Sequence, residues 1–478
     1  MNVAFDFSWW QIDPVFLWTD ILIFILVATI SFFVIYARRH EHLRAPWRQI
    51  LYRRLAMSSL IILMAFVVIG LLDSVHFKVP LEQRDDGSTL YSTEVYSLFD
   101  RLVLPLKNNT EKTYSEPFAY QLYSKENIEQ ADGSLRRDYP RLQYGSAHLD
   151  IPVTQRAADI QARSLMALGK AFLVVLFIWF LLGAWQARCN NKKFTPTILS
   201  MLTGQATWPW RSILATLFFI LLLLMFAIEL GTHYHILGTD KVGQDVLYLA
   251  LKSIRTGLVI GTLTTLVMLP FAVLLGIMAG YFRGWIDDVI QYLYTTLSSI
   301  PGVLLIAAAI LVMQVYIENN PQQFATVLQR ADARLLFLCL ILGITSWTSL
   351  CRLLRGEALK LREADYIQAA QAFGVRSSKI ITQHLLPNVM HIVLIVIVLD
   401  FSGLVLAEAV LAYVGVGVDP SMNSWGNMIN SARLEMAREP IVWWSLMAAF
   451  MFMFLLVLAA NLFADAVRDA FDPRLRSN

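Results

Sequence analysis

The stretch Arg352–Asn388, RLLRGEALKLREADYIQAAQAFGVRSSKIITQHLLPN, is the longest polar, cation-rich interruption in the second half of a strongly apolar chain. Hydrophobic runs flank it on both sides. Glu357–Phe373 holds strong helix formers and neither Gly nor Pro, which predicts one helix. Gly374 tolerates a left-handed backbone and supplies the stop. Ser377 and Ser378 then cap a second short helix ending near Leu385, and Pro387 is placed to open a third. The chain is therefore expected to leave a membrane, make two short helices around a turn, and re-enter. Ala369, Ala370 and Gly374 fall within about one and a half turns, a small-residue face that a partner's backbone can approach. On composition alone a plain connector is an equally good reading.

Working outward, 57% of the 478 residues are hydrophobic and 16% charged. Mean hydropathy is +0.55. A water-soluble domain carries about 25% charged residues, so this is read as an integral membrane protein. The net charge of +3 is too small to point to nucleic acid, and the cations sit at helix ends rather than on one patch. Cys189, Cys339 and Cys351 have neither CxxC nor Cys/His spacing, so no zinc site, disulfide or other cofactor is expected. The first twenty residues carry Asp6, Asp13 and Asp20 but no Lys or Arg, unlike a cleavable signal.

A spanning helix needs about 20 mostly apolar residues. Nine segments qualify: 15–37, 55–73, 166–186, 212–230, 256–281, 290–316, 333–351, 389–413 and 441–464. Residues 38–54 hold six arginines against Glu41 alone, so they belong on the cytoplasmic side. Alternation then puts the acidic N-terminus outside. It places 187–211 (Arg188, Lys192, Lys193, Arg211), 352–388 and the tail with Arg468, Arg474 and Arg476 inside. Arg330, Arg433 and Arg438 fall in outer loops and fit that rule less well.

Residues 74–165 form the one sizeable polar portion, expected outside, where Tyr91, Tyr96, Phe99, Leu102, Val103 and Leu104 can seed a small core. His76 and His148 read as isolated, and no catalytic constellation is visible. The segment is read as a solvated insert or as a docking surface for a soluble receptor. Gln186–Arg211 reads as a cytoplasmic linker, so the chain divides into 1–205, an extension with three spans and the insert, and 206–478.

The second part carries a resemblance. QAAQAFG (368–374), followed after nine residues by HLLPN (384–388), resembles the cytoplasmic coupling loop of ABC-importer permeases in the dipeptide, oligopeptide and nickel branch. Gln368 stands where the family has Glu and His384 where it has Ile. His235–Val246, HILGTDKVGQDV, is similar to that family's outer motif, with Gln244 in place of Arg. Ala279–Phe282, Ser299–Pro301, Ala407–Ala409 and Ser424–Met428 match as well, and Asp469–Leu475 ends as the type C subunit does. The resemblance covers everything from Ser212 onward, and residues 1–205 depart from it.

It implies an all-α membrane protein with three accessory helices and a six-helix type I permease core. It also implies a non-catalytic half of an importer for peptides or peptide-like solutes in a bacterial inner membrane. The implied partners are a homologous permease, ATP-binding subunits and an extracytoplasmic substrate-binding protein, besides membrane lipid. The coupling loop would use Glu363, Ala364, Asp365, Tyr366, Ala369, Ala370, Gly374, Leu386, Pro387 and Asn388. The outer motif would use Gly238, Thr239, Asp240, Gly243 and Asp245, in which the glycines permit tight turns and the aspartates cap the following helix.

Asp400 and Glu408 share one hydrophobic helix about 80° apart, and a carboxylate facing lipid costs several kcal/mol. With Pro301 and Trp425 they are the candidates for a pathway or a permease–permease interface. Pro270 and Pro301 are expected to interrupt helices, and Gly257, Gly261, Gly276 and Gly280 to give close-packing faces. The competing reading is a self-contained secondary transporter working through Asp400, Glu408 and His391. The sequence holds no GxxxxGK[ST] phosphate loop, so ATP hydrolysis is not expected of this chain.

Overall fold

The computed structural model describes residues 13–39, 41–83, 89–129, 135–189, 194–203, 208–322, 324 and 326–471. A short strand β1 (Asp13–Val15) precedes α1 (Trp18–Arg38), α2 (Glu41–Tyr52) and α3 (Arg54–Asp73). The insert follows as β2 (His76–Gln83), β3 (Thr89–Ser97), α4 (Leu98–Leu102), α5 (Leu104–Asn108), β4 (Glu126–Glu129) and β5 (Leu135–Asp138). Then come α6 (Pro152–Cys189), α7 (Phe194–Thr203), α8 (Trp210–Gly231), α9 (Val246–Phe282), α10 (Gly284–Ser299) and α11 (Gly302–Asn319). The last part is α12 (Val327–Ser346), α13 (Thr348–Arg362), α14 (Asp365–Ala372), α15 (Ser377–Ile380), α16 (Leu386–Tyr413), α17 (Trp425–Glu435) and α18 (Trp444–Phe471).

Among the described residues nine helical stretches are long and apolar enough to cross a membrane, each overlapping one expected segment. Their bounds shift from those expected, and some breaks fall elsewhere. The 290–316 segment is two helices: Ile300 is extended and Pro301 is the N-cap of α11, so the span is Gly302–Asn319. Pro270, by contrast, is carried inside an unbroken α9. The insert ends at residue 151, because α6 runs for 38 residues from Pro152. The linker 186–211 contains α7. Lys192, Lys193, Arg474, Arg476 and the Asp472–Leu475 part of the tail motif lie outside the described residues, as does the N-terminus before Asp13.

The insert is mixed α/β. β2 pairs antiparallel with β1 on one side and β3 on the other, with Phe77 opposite Pro14 and Tyr96. Register shifts bracket Pro80, which has no N–H to give the ladder. The expected seed for its core is only partly right, since Phe99 is buried while Leu102 is 63% exposed. Leu106 and Tyr114 instead join the main bundle core with Leu230, Trp425 and Trp444. The insert keeps a small cluster of its own, Ala119, Leu122 and Leu142, and is otherwise built onto the bundle.

α9 is the axis of the molecule. A Cβ on Gly257 would meet Trp425, one on Gly261 Phe401, one on Gly276 Leu354 and one on Gly280 Ala358, so these glycines let neighbouring elements lie against it. Near its N-terminal end Arg255 is buried and pairs with Asp20 of α1 at 2.5 Å, while Asp20 meets His76 at 2.8 Å. Asp332 of α12 accepts from the Trp18 and Thr19 backbone N–H groups. One turn earlier Lys252 reaches Asp100 at 2.5 Å and Asp73 at 3.1 Å, and Tyr248 donates to Asp100. Neither His76 nor His148 is isolated, since His148 meets Asp159 at 2.9 Å.

Candidate functional site

The polar stretch folds more tightly than its propensities predict. The expected helix 357–373 breaks after Arg362, where Ala364 turns to extended backbone as the N-cap of α14. The break is a packing result. It drops Ile367, fully buried, into one cluster with Leu354, Ala358, Ile380, Leu385 and Val389. Gly374 does stop α14, at φ +73°, with open space where a Cβ would be. The second helix does not end near Leu385. Residues 381–385 form one wide π turn, with Leu386 N–H donating to Ile381 O, and α16 continues from it. Pro387 cannot donate to Gln383 O, so a widened turn lets the helix pass through it instead of starting anew.

What remains outside is a knuckle on a rigid root. Ala369, Gly374, Pro387 and Asn388 are exposed, Ala364, Ala370 and Leu386 half-buried. Glu363 pairs with Arg283 at 2.5 Å, and Asp365 lies exposed in the first turn of α14. Tyr366 Oη accepts from Asn388 Nδ2 at 3.2 Å, tying the two limbs of the knuckle together. Phe373 is 87% exposed at its tip. The sequence reading passed over Phe373, although an aromatic beside a turn glycine in a polar segment is the signal that finds it.

The outer motif lies at the other end of α9. Tyr281, at the knuckle end, approaches Gln371, and Tyr248 meets the insert, a separation of about 50 Å along the helix. Gly238 and Gly243 have φ of +71° and +78°, and a Cβ on them would overlap the backbone of Ser115 and Glu111 respectively. Asp240 Oδ1 accepts from the N–H groups of Val242 and Gln244, and Asp245 Oδ1 caps α9 at Leu247 and Tyr248. Thr239 is buried, its Oγ1 accepting from Ser115 N–H and donating to Thr113 O.

Beneath the motif His235 Nδ1 meets Asp245 at 2.8 Å, and its Nε2 lies 3.4 Å from Glu111. Burial pulls the His235 pKa down, but Asp245 and Glu111 outweigh it and raise it to about 9. Burial likewise pushes Glu111 up, yet His235 and the N–H groups of Gln143, Gly145 and Tyr144 hold it at about 2. The motif is thus covered by the insert.

The carboxylate candidates separate. Glu408 is buried, and its carboxylate and Ala412 fill the place where Gly426 has no Cβ. Trp425 is 1% exposed, with Nε1 donating to Ala250 O at 3.0 Å. Both therefore sit inside the bundle. Pro301 is exposed. Asp400 is half-buried at the edge of the open face of α16, and among the described residues nothing pairs with it.

Residues 272–477 match the family described as the binding-protein-dependent transport system inner membrane component. The glutathione transport system permease protein of Pectobacterium atrosepticum is 31% identical over 51% of this chain and 74% of its own length. The chain belongs to this family. An oligopeptide transport system permease of Mycobacterium bovis is also 31% identical, over 51% of this chain and 77% of its own length. A dipeptide transport system permease of Alkalihalophilus pseudofirmus is 29% identical, over 51% and 73%. Among solved structures, the methionine ABC transporter in inward-facing form aligns at 16% identity, with a TM-score of 0.33, over 46% of this chain and 96% of that one. This permease is accordingly a multi-pass inner-membrane, non-catalytic component of a binding-protein-dependent system.

Proposed function

We propose that this permease imports peptides or peptide-like solutes, driven by ATP hydrolysed on a partner subunit. The cargo class rests on the glutathione, oligopeptide and dipeptide systems to which its relatives belong. One observation carries the mechanical part: an exposed small-residue knuckle with Phe373 at its tip, rooted through Ile367 and Leu385 in the packed end of α9 and α13. A motor subunit that grips Ala369, Ala370 and Gly374 moves that root, and through it α16 and α9. The knuckle faces the cytoplasm in this reading, with the insert and the N-terminus outside and the C-terminus inside. Their placement at opposite ends of α9 supports that sidedness.

The division into an accessory part (1–205) and a permease core (206–478) is part of the same proposal. A homologous permease completes the path, and Asp400 and Pro301 face it or the solute. One or two ATP-binding subunits take the knuckles. An extracytoplasmic binding protein docks on the insert, because the insert covers the outer motif. Gly374→Glu puts a charged side chain where the backbone is left-handed and a partner must approach. The variant is expected to insert normally, lose uptake and fail to co-purify with the ATP-binding subunits. Normal uptake would overturn the reading.

A further inference from the structure

α1 and α3 are both long and apolar enough to span, and α2 is the 12-residue helix that joins them, so α2 lies along a membrane surface. Its inner side is taken up by protein: Trp47 and Ile50 pack on Ala466, Val467, Ala470 and Phe471 at the end of α18. α18 begins at the outer motif, where Trp444 donates to Thr239 O, so its far end lies on the knuckle side of the membrane. Arg44 and Arg48 lie about 120° and 160° round the helix from Ile50 and about 60° and 100° from Trp47, and both are exposed. Arg38 and Arg39 at the end of α1 and Arg54 at the start of α3 are exposed too.

Among the described residues almost nothing neutralises them. Asp469 is taken by Arg53 at 2.5 Å, and among the described residues Arg48 bonds the neutral Tyr52 hydroxyl, at 2.8 Å. Tyr52 and Trp208 stack edge to face beside it, as aromatic side chains do at headgroup depth. We infer that α2 and the two helix ends beside it form a binding surface for anionic phospholipid headgroups of the leaflet on the knuckle side. Guanidinium forks match phosphate oxygens in pairs, and the patch sits at the depth where headgroup phosphates lie. The site belongs to the extension, outside the part of the chain that matches the family, and it does not depend on the nature of the cargo. Headgroups held there clamp α2 onto the end of α18.

The test is to purify the full assembly in mild detergent and count phosphatidylglycerol against phosphatidylcholine by native mass spectrometry. The wild type is expected to retain phosphatidylglycerol preferentially, and Arg44→Gln/Arg48→Gln/Arg54→Gln to lower that preference by at least about tenfold. Replacing the same three residues with lysine should preserve most of it. Absence of preference in the wild type, or an unchanged count in the glutamine variant, overturns the inference. So does loss of the ATP-binding subunits at constant lipid count, which would make the patch a protein-docking surface. Should the glutamine variant fail to insert, salt titration of the wild type decides: release of phosphatidylglycerol at high ionic strength supports the site, and salt-independent retention overturns it.

Discussion

His235 sits between two carboxylates, Asp245 on its own loop and Glu111 from the insert, and this gives the junction between loop and insert a definite pH range. Its pKa is raised from 6.5 to about 9, so its contribution is complete below 6.5 and lost as pH rises through about 9. That of Glu111 is lowered from 4.5 to about 2, so its contribution is complete above 4.5 and lost as pH falls through about 2. The junction is tightest between those limits. Hydrogen exchange in residues 109–149, corrected for intrinsic rate, should therefore show less protection at pH 9.5 than at pH 6. His235→Gln should remove most of that difference, and equal protection at the two pH values would remove the ion pair from the account. Half of this site was legible in the sequence. Asp245 caps the helix two residues on, a local rule, and Gly243 takes the positive φ that its turn needs. Glu111 was not legible, because it lies more than a hundred residues away and nothing local pairs it with His235.

Between residues and the whole molecule stands the knuckle, whose stiffness decides whether force is transmitted or dissipated. Its root depends on Ile367, which is fully buried although it belongs to a short helix that is otherwise mostly exposed. Ile367→Ala leaves a cavity worth about 2–5 kcal/mol and should let α14 swing on its two ends. The expected result is an assembly that still binds its ATP-binding subunits but hydrolyses ATP with weakened dependence on cargo and takes up less of it. Full coupling in that variant would show that α14 is held from outside. At this scale the sequence was informative where a residue's chemistry is unique and silent where it is not. Gly374 announced its turn. Glu363 and Ala364 gave no sign of the break, since both favour helix and only the burial of Ile367 bends the chain there. Pro387 announced an irregularity, but whether the helix restarts or widens depends on packing around Leu385 and Val389.

On the scale of the whole chain, the nine spans could be read in advance because hydropathy over about 20 residues outweighs every local detail. How the extension meets the core could not, because the contacts join α1 and α3 to α9 and α12 across hundreds of residues. The decisive one is Arg255, buried on α9 beside Asp20 and within 4.0 Å of Asp332. Removing one member of a buried ion pair costs about 3–5 kcal/mol, because the carboxylates left behind lose both their partner and water. Arg255→Ala should free α1 from α9, seen as a lower melting temperature in detergent and new protease cleavage near residues 13–17, with the segments from α13 onward still protected. Replacing Asp20 and Arg255 together by Leu and Met should recover much of the stability, since no unpaired charge then remains at that pair. If uptake returns with stability in the double variant, the extension acts as a brace and its charges are one way of building it. If stability returns and uptake does not, the charged contact itself takes part in moving α9, and the extension is a working part of the permease.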